Sequence, residues 1–189
     1  MLDTTAAPSL TAVLFGLRGC LVGHDERLSA GASQVLEHLQ QQGVPCAWLD
    51  ELPAHSATYL AAALPAGVVA ANQLPGTMPW PLPHACWQAL IELNAQSLDG
   101  GVLVSGDPLL LAAGLNAGLW TVGLASCVAF GELSTTQWRA LPPQEQDSKR
   151  SKATMQLFNL GVHSVIDHLE ALISCLDDIG QRRLQGEKP

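Results

Sequence analysis

Charge is scarce in this chain. Only 14% of its 189 residues are Asp, Glu, Lys or Arg, against 48% hydrophobic. Acid outweighs base, leaving a formal net charge of −8, and the basic residues cluster only at Lys149-Arg150-Ser151-Lys152. Nucleic-acid binding needs a basic face that neutralises phosphates, so that partner class is excluded. No apolar run reaches the length of a membrane span, so no membrane partner is expected. The first residues have no basic region ahead of an apolar stretch, so no signal peptide is expected. The five cysteines (20, 46, 86, 127 and 175) form no CxxC pair. Their scatter and odd count point to reduced thiols and a cytoplasmic setting. Internal repeats and low-complexity tails are absent too. The length favours one domain with a sizeable core, 1–189, with residues 1–9 as a loose arm.

What is present is organised around Thr11 to Val22. Ala12-Val13-Leu14-Phe15 is a short apolar run with β-formers, which reads as a strand buried on both faces. It breaks at Gly16-Leu17-Arg18-Gly19-Cys20. A loop at the carboxyl end of a buried parallel strand is where open α/β sheets place a ligand site.

Further strands are expected at Cys46–Leu49, Val68–Ala70, Val102–Val104, Trp120–Leu124 and Ser164–Ile166. Helices are expected at about 32–42, where Val35, Leu36 and Leu39 keep helical spacing and Gly43 stops the run. Others are expected at about 54–63, 84–95, 109–116, 144–159 and 169–183, with a short one carrying Trp138 and capped by Ser134. Residues 73–83 hold four prolines and read as an irregular loop. Alternation of this kind predicts a mainly parallel sheet of about six strands with helices on both faces, a three-layer α/β/α Rossmann-like core.

Two motifs resemble the haloacid dehalogenase superfamily and, within it, the phosphonoacetaldehyde hydrolases. Gly101-Val102-Leu103-Val104-Ser105-Gly106-Asp107 is similar to the family's fourth motif, an apolar strand ending in Gly-Asp. The run from Ala113 to Leu124, with Gly114-Leu115-Asn116-Ala117-Gly118-Leu119-Trp120-Thr121-Val122-Gly123, closely resembles the hydrolases' Gly-x-Asn-Ala-Gly-Met-Trp-Thr-Val-Gly. The resemblance implies that strand one is central, with strands two and three on one side and four to six on the other. It also implies where the chain departs from the family. The nucleophilic Asp of the first motif is replaced by Gly16, the following Asp or Ala by Arg18, and the Thr by Cys20. The third-motif Lys or Arg falls near Gly76-Thr77-Met78-Pro79-Trp80, where neither occurs. The Schiff-base lysine has no counterpart, since the lysines are 149, 152 and 188. Val22 and Ala32 are too close in sequence to hold the family's helical cap.

A glycine cannot act as a nucleophile, and Asp107 alone is a poor ligand set for magnesium, the family's cofactor. The resulting expectation is a catalytically silent, pseudoenzyme-like domain with no catalytic residues, no metal and no cofactor, acting through a protein partner or a small anion. A divergent phosphohydrolase using Asp25, Asp50 or Asp107 stays open as the alternative. The vestigial or anion-binding set is Arg18, Gly19, Cys20, Asp50, Gly106 and Asp107. Arg18 is expected to pair with Asp107 in place of the metal, with anion binding by Arg18 and the loop amides as its functional alternative. Cys20 reads as a small core thiol, with a nucleophile near His24 as the alternative. Asp50-Glu51 reads as capping or solvated, with metal binding as the alternative. His24, His55, His84, His163 and His168 show no ligand spacing. Trp80 reads as packing over a sheet edge, with an exposed contact as the alternative. A homodimer is expected through the loop 74–82 and the helix with Cys86, Trp87, Leu90, Ile91 and Leu93.

Overall fold

The computed structural model describes residues 9–23, 25–71, 78–130, 133 and 135–189. Its centre is a six-stranded, all-parallel sheet in the order β3-β2-β1-β4-β5-β6. The strands are β1 (Ala12–Gly16), β2 (Cys46–Leu49), β3 (Val68–Ala70), β4 (Gly101–Ser105), β5 (Trp120–Leu124) and β6 (Ser164–Ile166). Strand one is therefore central, and the expected order holds.

The inner strands β1, β2, β4 and β5 form where buried side chains alternate between two covered faces, while the edge strands β3 and β6 are partly exposed. Along β1, Val13 and Phe15 pack on one side of the sheet and Ala12 and Leu14 on the other. All five residues of β1 are buried, as a strand sandwiched between helical layers requires. Covering the Val13–Phe15 side are α1 (Ala32–Gln41) and α8 (Leu172–Leu184). Leu36 and Leu39 come from the first, Leu172, Leu176 and Ile179 from the second. Covering the other side are α3 (His84–Glu92) and α4 (Pro108–Asn116). Ala85, Cys86, Ala89, Leu110 and Ala113 face the sheet there. A third apolar group joins Leu111, Ala125, Trp138, Ala153 and Leu157, and seats α7 (Pro143–Leu160) against the sheet's edge.

The expected helices are present, with shifted ends. The one after β2, α2, spans Ala54–Ala61, and α3 ends at Glu92 rather than near 95. Helix α8 is preceded by a single 3₁₀ turn at Leu169–Ala171. One helix was not expected: α5 (Ala125–Phe130) follows β5 directly, and α6 (Thr135–Ala140) carries Trp138. The sequence hides α5 because the apolar run of β5 passes into it without a break. The expected Ser134 cap, residues 1–8 of the arm expected at 1–9, His24 and residues 72–77, Thr77 among them, lie outside the described residues.

Between β1 and α1 the described residues form turns and bridges. Gly19 N–H donates to Val22 O at 2.9 Å, Val22 N–H to Leu17 O at 2.8 Å, and Val22 pairs with Leu28. Among the described residues no helix is long and apolar enough to cross a membrane.

Candidate functional site

The carboxyl ends of β1 and β4 open on a cavity of about 380 Å³. Gly16, Arg18, Asp50, Trp80, Gly106 and Asp107 are among its lining residues. Topology brings them together: β1 lies between β2 and β4, so the loops after all three strands converge.

Gly16 has no room for a side chain. A Cβ placed on it would lie 2.7 Å from Ser105 Oγ and 3.3 Å from Leu110 Cδ2. Ser105 is fully buried, and its hydroxyl accepts the Asp107 N–H at 2.9 Å. Gly106 is equally confined, since a Cβ there would lie 2.2 Å from Cys127 Cβ and 2.6 Å from Gly19 O. Gly19, at φ +68°, turns the first loop into that contact with a backbone that favours glycine.

Arg18 does not pair with Asp107. Its guanidinium grips Asp50 instead: Nη2 donates to Oδ1 at 2.7 Å, and Nε reaches Oδ2 at 2.9 Å and Oδ1 at 3.1 Å. Two backbone donors add to it, Leu52 N–H on Oδ1 at 2.8 Å and Arg18 N–H on Oδ2 at 3.3 Å. The Asp50 side chain is 3% exposed and that of Arg18 is 52% exposed. The carboxylate is thus buried under the cation, and its hydrogen bonds hold the guanidinium still more firmly protonated, against the opposing cost of burial. The expected pair fails for a topological reason. The loop after β1 borders β2 as well as β4, and Asp107 is already engaged.

Asp107 is the N-cap of α4. Its Oδ1 accepts Leu109 N–H at 2.7 Å and Leu110 N–H at 3.2 Å, with Pro108 at the first helical position. The expected solvated or capping role of Asp50 is also corrected: it is an ion-pair partner. Glu51 caps no helix either: its carboxylate takes the backbone N–H of Trp80, 29 residues on, at 3.0 Å. Trp80 packs against the buried group of α3 and α4 over the central strands, where packing over a sheet edge was expected, and its Nε1 is buried with no hydrogen-bond partner among the described residues.

Cys20 is a core thiol, and Cys127 is a partly buried one that lines the cavity. Burial pushes the Cys20 thiol well above its ordinary value, with Cys127 adding to it, and burial pushes Cys127 up to about 12. A thiol held protonated is a poor nucleophile. Among the described residues no three His, Cys, Asp or Glu side chains converge as metal ligands would. Cys127, on the unexpected α5, is the site residue that sequence reasoning missed.

The expected self-association face is only partly apolar at the surface. On α3, Cys86 and Leu90 point into the core, whereas Trp87 and Ile91 are exposed, with Leu82 and Leu98 nearby in the chain also exposed.

No protein-family model matches the chain. A phosphonoacetaldehyde hydrolase of Paraburkholderia phytofirmans is 34% identical over 110 residues, 58% of this chain and 41% of that protein. The chain spans about two fifths of the length of the curated relatives it matches. A solved structure 49% identical to it superimposes with a TM-score of 0.89, covering 96% of this chain and all of the other. A phosphonoacetaldehyde hydrolase-like protein from Oleispira antarctica follows at 29% identity and a TM-score of 0.75, over 87% of this chain and 61% of that one. By these likenesses the chain belongs to the haloacid dehalogenase superfamily, on its phosphonoacetaldehyde hydrolase-like side.

Proposed function

We propose that this domain does not carry out phosphoryl or phosphonyl transfer by the superfamily's aspartate route, and that it works by binding, with a small anion or another protein as ligand. The observation that carries the reading is the closed space at Gly16. Ser105 Oγ and Leu110 occupy the volume that a nucleophilic side chain would need. The missing carboxylate is therefore matched by its surroundings and is more than a single substitution in an otherwise intact site.

Magnesium fits the remaining residues poorly. A hard dication needs several oxygen ligands, commonly two carboxylates or one with phosphate and water. Of the two carboxylates lining the cavity, Asp50 is neutralised by Arg18 and Asp107 spends Oδ1 on the α4 amides. The Arg18 guanidinium supplies positive charge where a metal would otherwise be required. The runner-up, a divergent hydrolase using Asp50 or Asp107, would have to break one of these arrangements first.

Calorimetric titration with magnesium chloride separates the two. The binding reading expects no saturable heat at millimolar magnesium. Saturable binding that disappears in Asp107→Asn would overturn it.

A further inference from the structure

The anion half of that reading needs a cavity with surplus positive charge, and the strand-end cavity has the opposite. It places one guanidinium, Arg18, against two carboxylates, Asp50 and Asp107. The first of these is in direct contact with Arg18, so little field is left to attract an anion. That pairing disfavours the alternative in which Arg18 and its loop amides hold an anion.

A second cavity, of about 330 Å³, adjoins the first along Gly19 and Cys127. Three separate parts of the chain build it: the turns between β1 and α1, the α5–α6 region, and the loop after β6. They bring Arg27, Arg139 and His168 to one cavity, which Ser126 and Asp25 also line. Here two guanidiniums face one carboxylate, in a chain whose net charge is −8.

The pairing of the arginines makes the contrast sharper. Arg18, Arg150, Arg182 and Arg183 each sit on a carboxylate. Arg27 and Arg139 have no ion-pair partner among the described residues. Asp25 does not neutralise Arg27: its Oδ1 accepts the Arg27 backbone N–H at 3.3 Å, which closes a local turn. The volume lies at the lower end of the range for small-molecule sites, roughly 300–1,000 Å³. Guanidinium forks favour oxyanions with several acceptor oxygens, and His168 and the Ser126 hydroxyl supply further donors.

We propose that this second cavity binds a small phosphate-bearing molecule through Arg27 and Arg139, with His168 as a third contact. The assignment does not rest on loss of the hydrolase route, because none of these residues touches Gly16 or Asp107 through any hydrogen bond or ion pair among the described residues.

The test is calorimetric titration with inorganic phosphate at constant ionic strength, with sodium chloride as the control, followed by amide NMR. The expected result is saturable phosphate binding, with shifts at Ser126, Cys127 and His168. Arg27→Gln and Arg139→Gln should each weaken it by about tenfold or more, the scale of a hydrogen bond to a charged group. Arg18→Gln should leave it within about twofold. Both cavity arginines are exposed, so the variants should keep the wild-type circular dichroism spectrum. Absence of saturation at tens of millimolar phosphate would overturn the proposal. So would binding that weakens with Arg18→Gln and survives the loss of Arg27 and Arg139.

Discussion

Arg18 Nη2 lies 2.7 Å from Asp50 Oδ1, across the mouth of the strand-end cavity. The pair joins a half-exposed cation to a buried anion, so its two ends are unequal. Removing Arg18 strands a buried carboxylate, which still accepts only Leu52 N–H and the backbone N–H of residue 18. Exposed pairs contribute about 0–1 kcal/mol and breaking buried ones costs about 3–5. Arg18→Ala should fall between, at about 1–3 kcal/mol. Urea unfolding of Arg18→Ala, Asp50→Ala and the double variant should show coupling above about 0.5 kcal/mol. Arg18→Ala and Asp107→Ala should add. Coupling with Asp107 and none with Asp50 would restore the pair expected from sequence.

Gly16→Ala should be costly. The new methyl meets Ser105 Oγ, which accepts the Asp107 N–H, and Leu110, packed between α4 and the sheet. Overpacking a close-packed core costs about 1–3 kcal/mol. Thermal unfolding of Gly16→Ala should therefore show a clear loss, and Gly16→Asp a larger one with no gain of activity. An unchanged Tm would show that the space at residue 16 opens freely.

How much of this could be read from the chain depends on the range of each interaction. Short apolar runs marked all six strands: β1, β2, β4 and β5 are buried runs of four or five residues, and β3 and β6 are three-residue runs at the sheet's two edges. Asp107 and its Pro108 were equally local, yet their role as a helix cap was missed in favour of a long-range pair. Asp50 was the harder case. Its partner lies across a strand pair, and β1 has a neighbour on each side, so the spacing of Arg18 allowed either acid. Helix α5 was hidden by composition, since Ala125-Ser126-Cys127 continues an apolar strand. Arg27, Arg139 and His168 meet only because two loops and helix α6 converge, which no spacing encodes.

Protonation of His163 should destabilise the fold. Its Nδ1 accepts the Thr121 N–H at 3.0 Å, so this nitrogen must be unprotonated. Burial, with the Arg182 charge second, lowers its pKa below the ordinary value near 6.5. The unfolded chain then binds the proton more readily, and stability falls as pH drops through about 6.5 toward the folded value, then levels. Denaturant unfolding between pH 8 and pH 5 should show that decline, and His163→Asn should flatten it. An equal slope in the variant would assign the effect to other groups.

The exposed strip of Trp87, Ile91 and Leu98 is expected to bring two copies together at high concentration. Light scattering should show a mass above the monomer, reduced by Ile91→Glu. A monomeric mass at every concentration would remove self-association from the account.

Catalytic silence is the central claim, and turnover tests it most directly. Phosphate release should be followed from phosphonoacetaldehyde and from an aryl phosphate, with magnesium or with chelator, alongside a blank preparation. The expected result is no release above the blank in either condition, for the wild type and for Arg18→Ala alike. Magnesium-dependent release by the wild type that is abolished in Asp107→Asn would contradict the account.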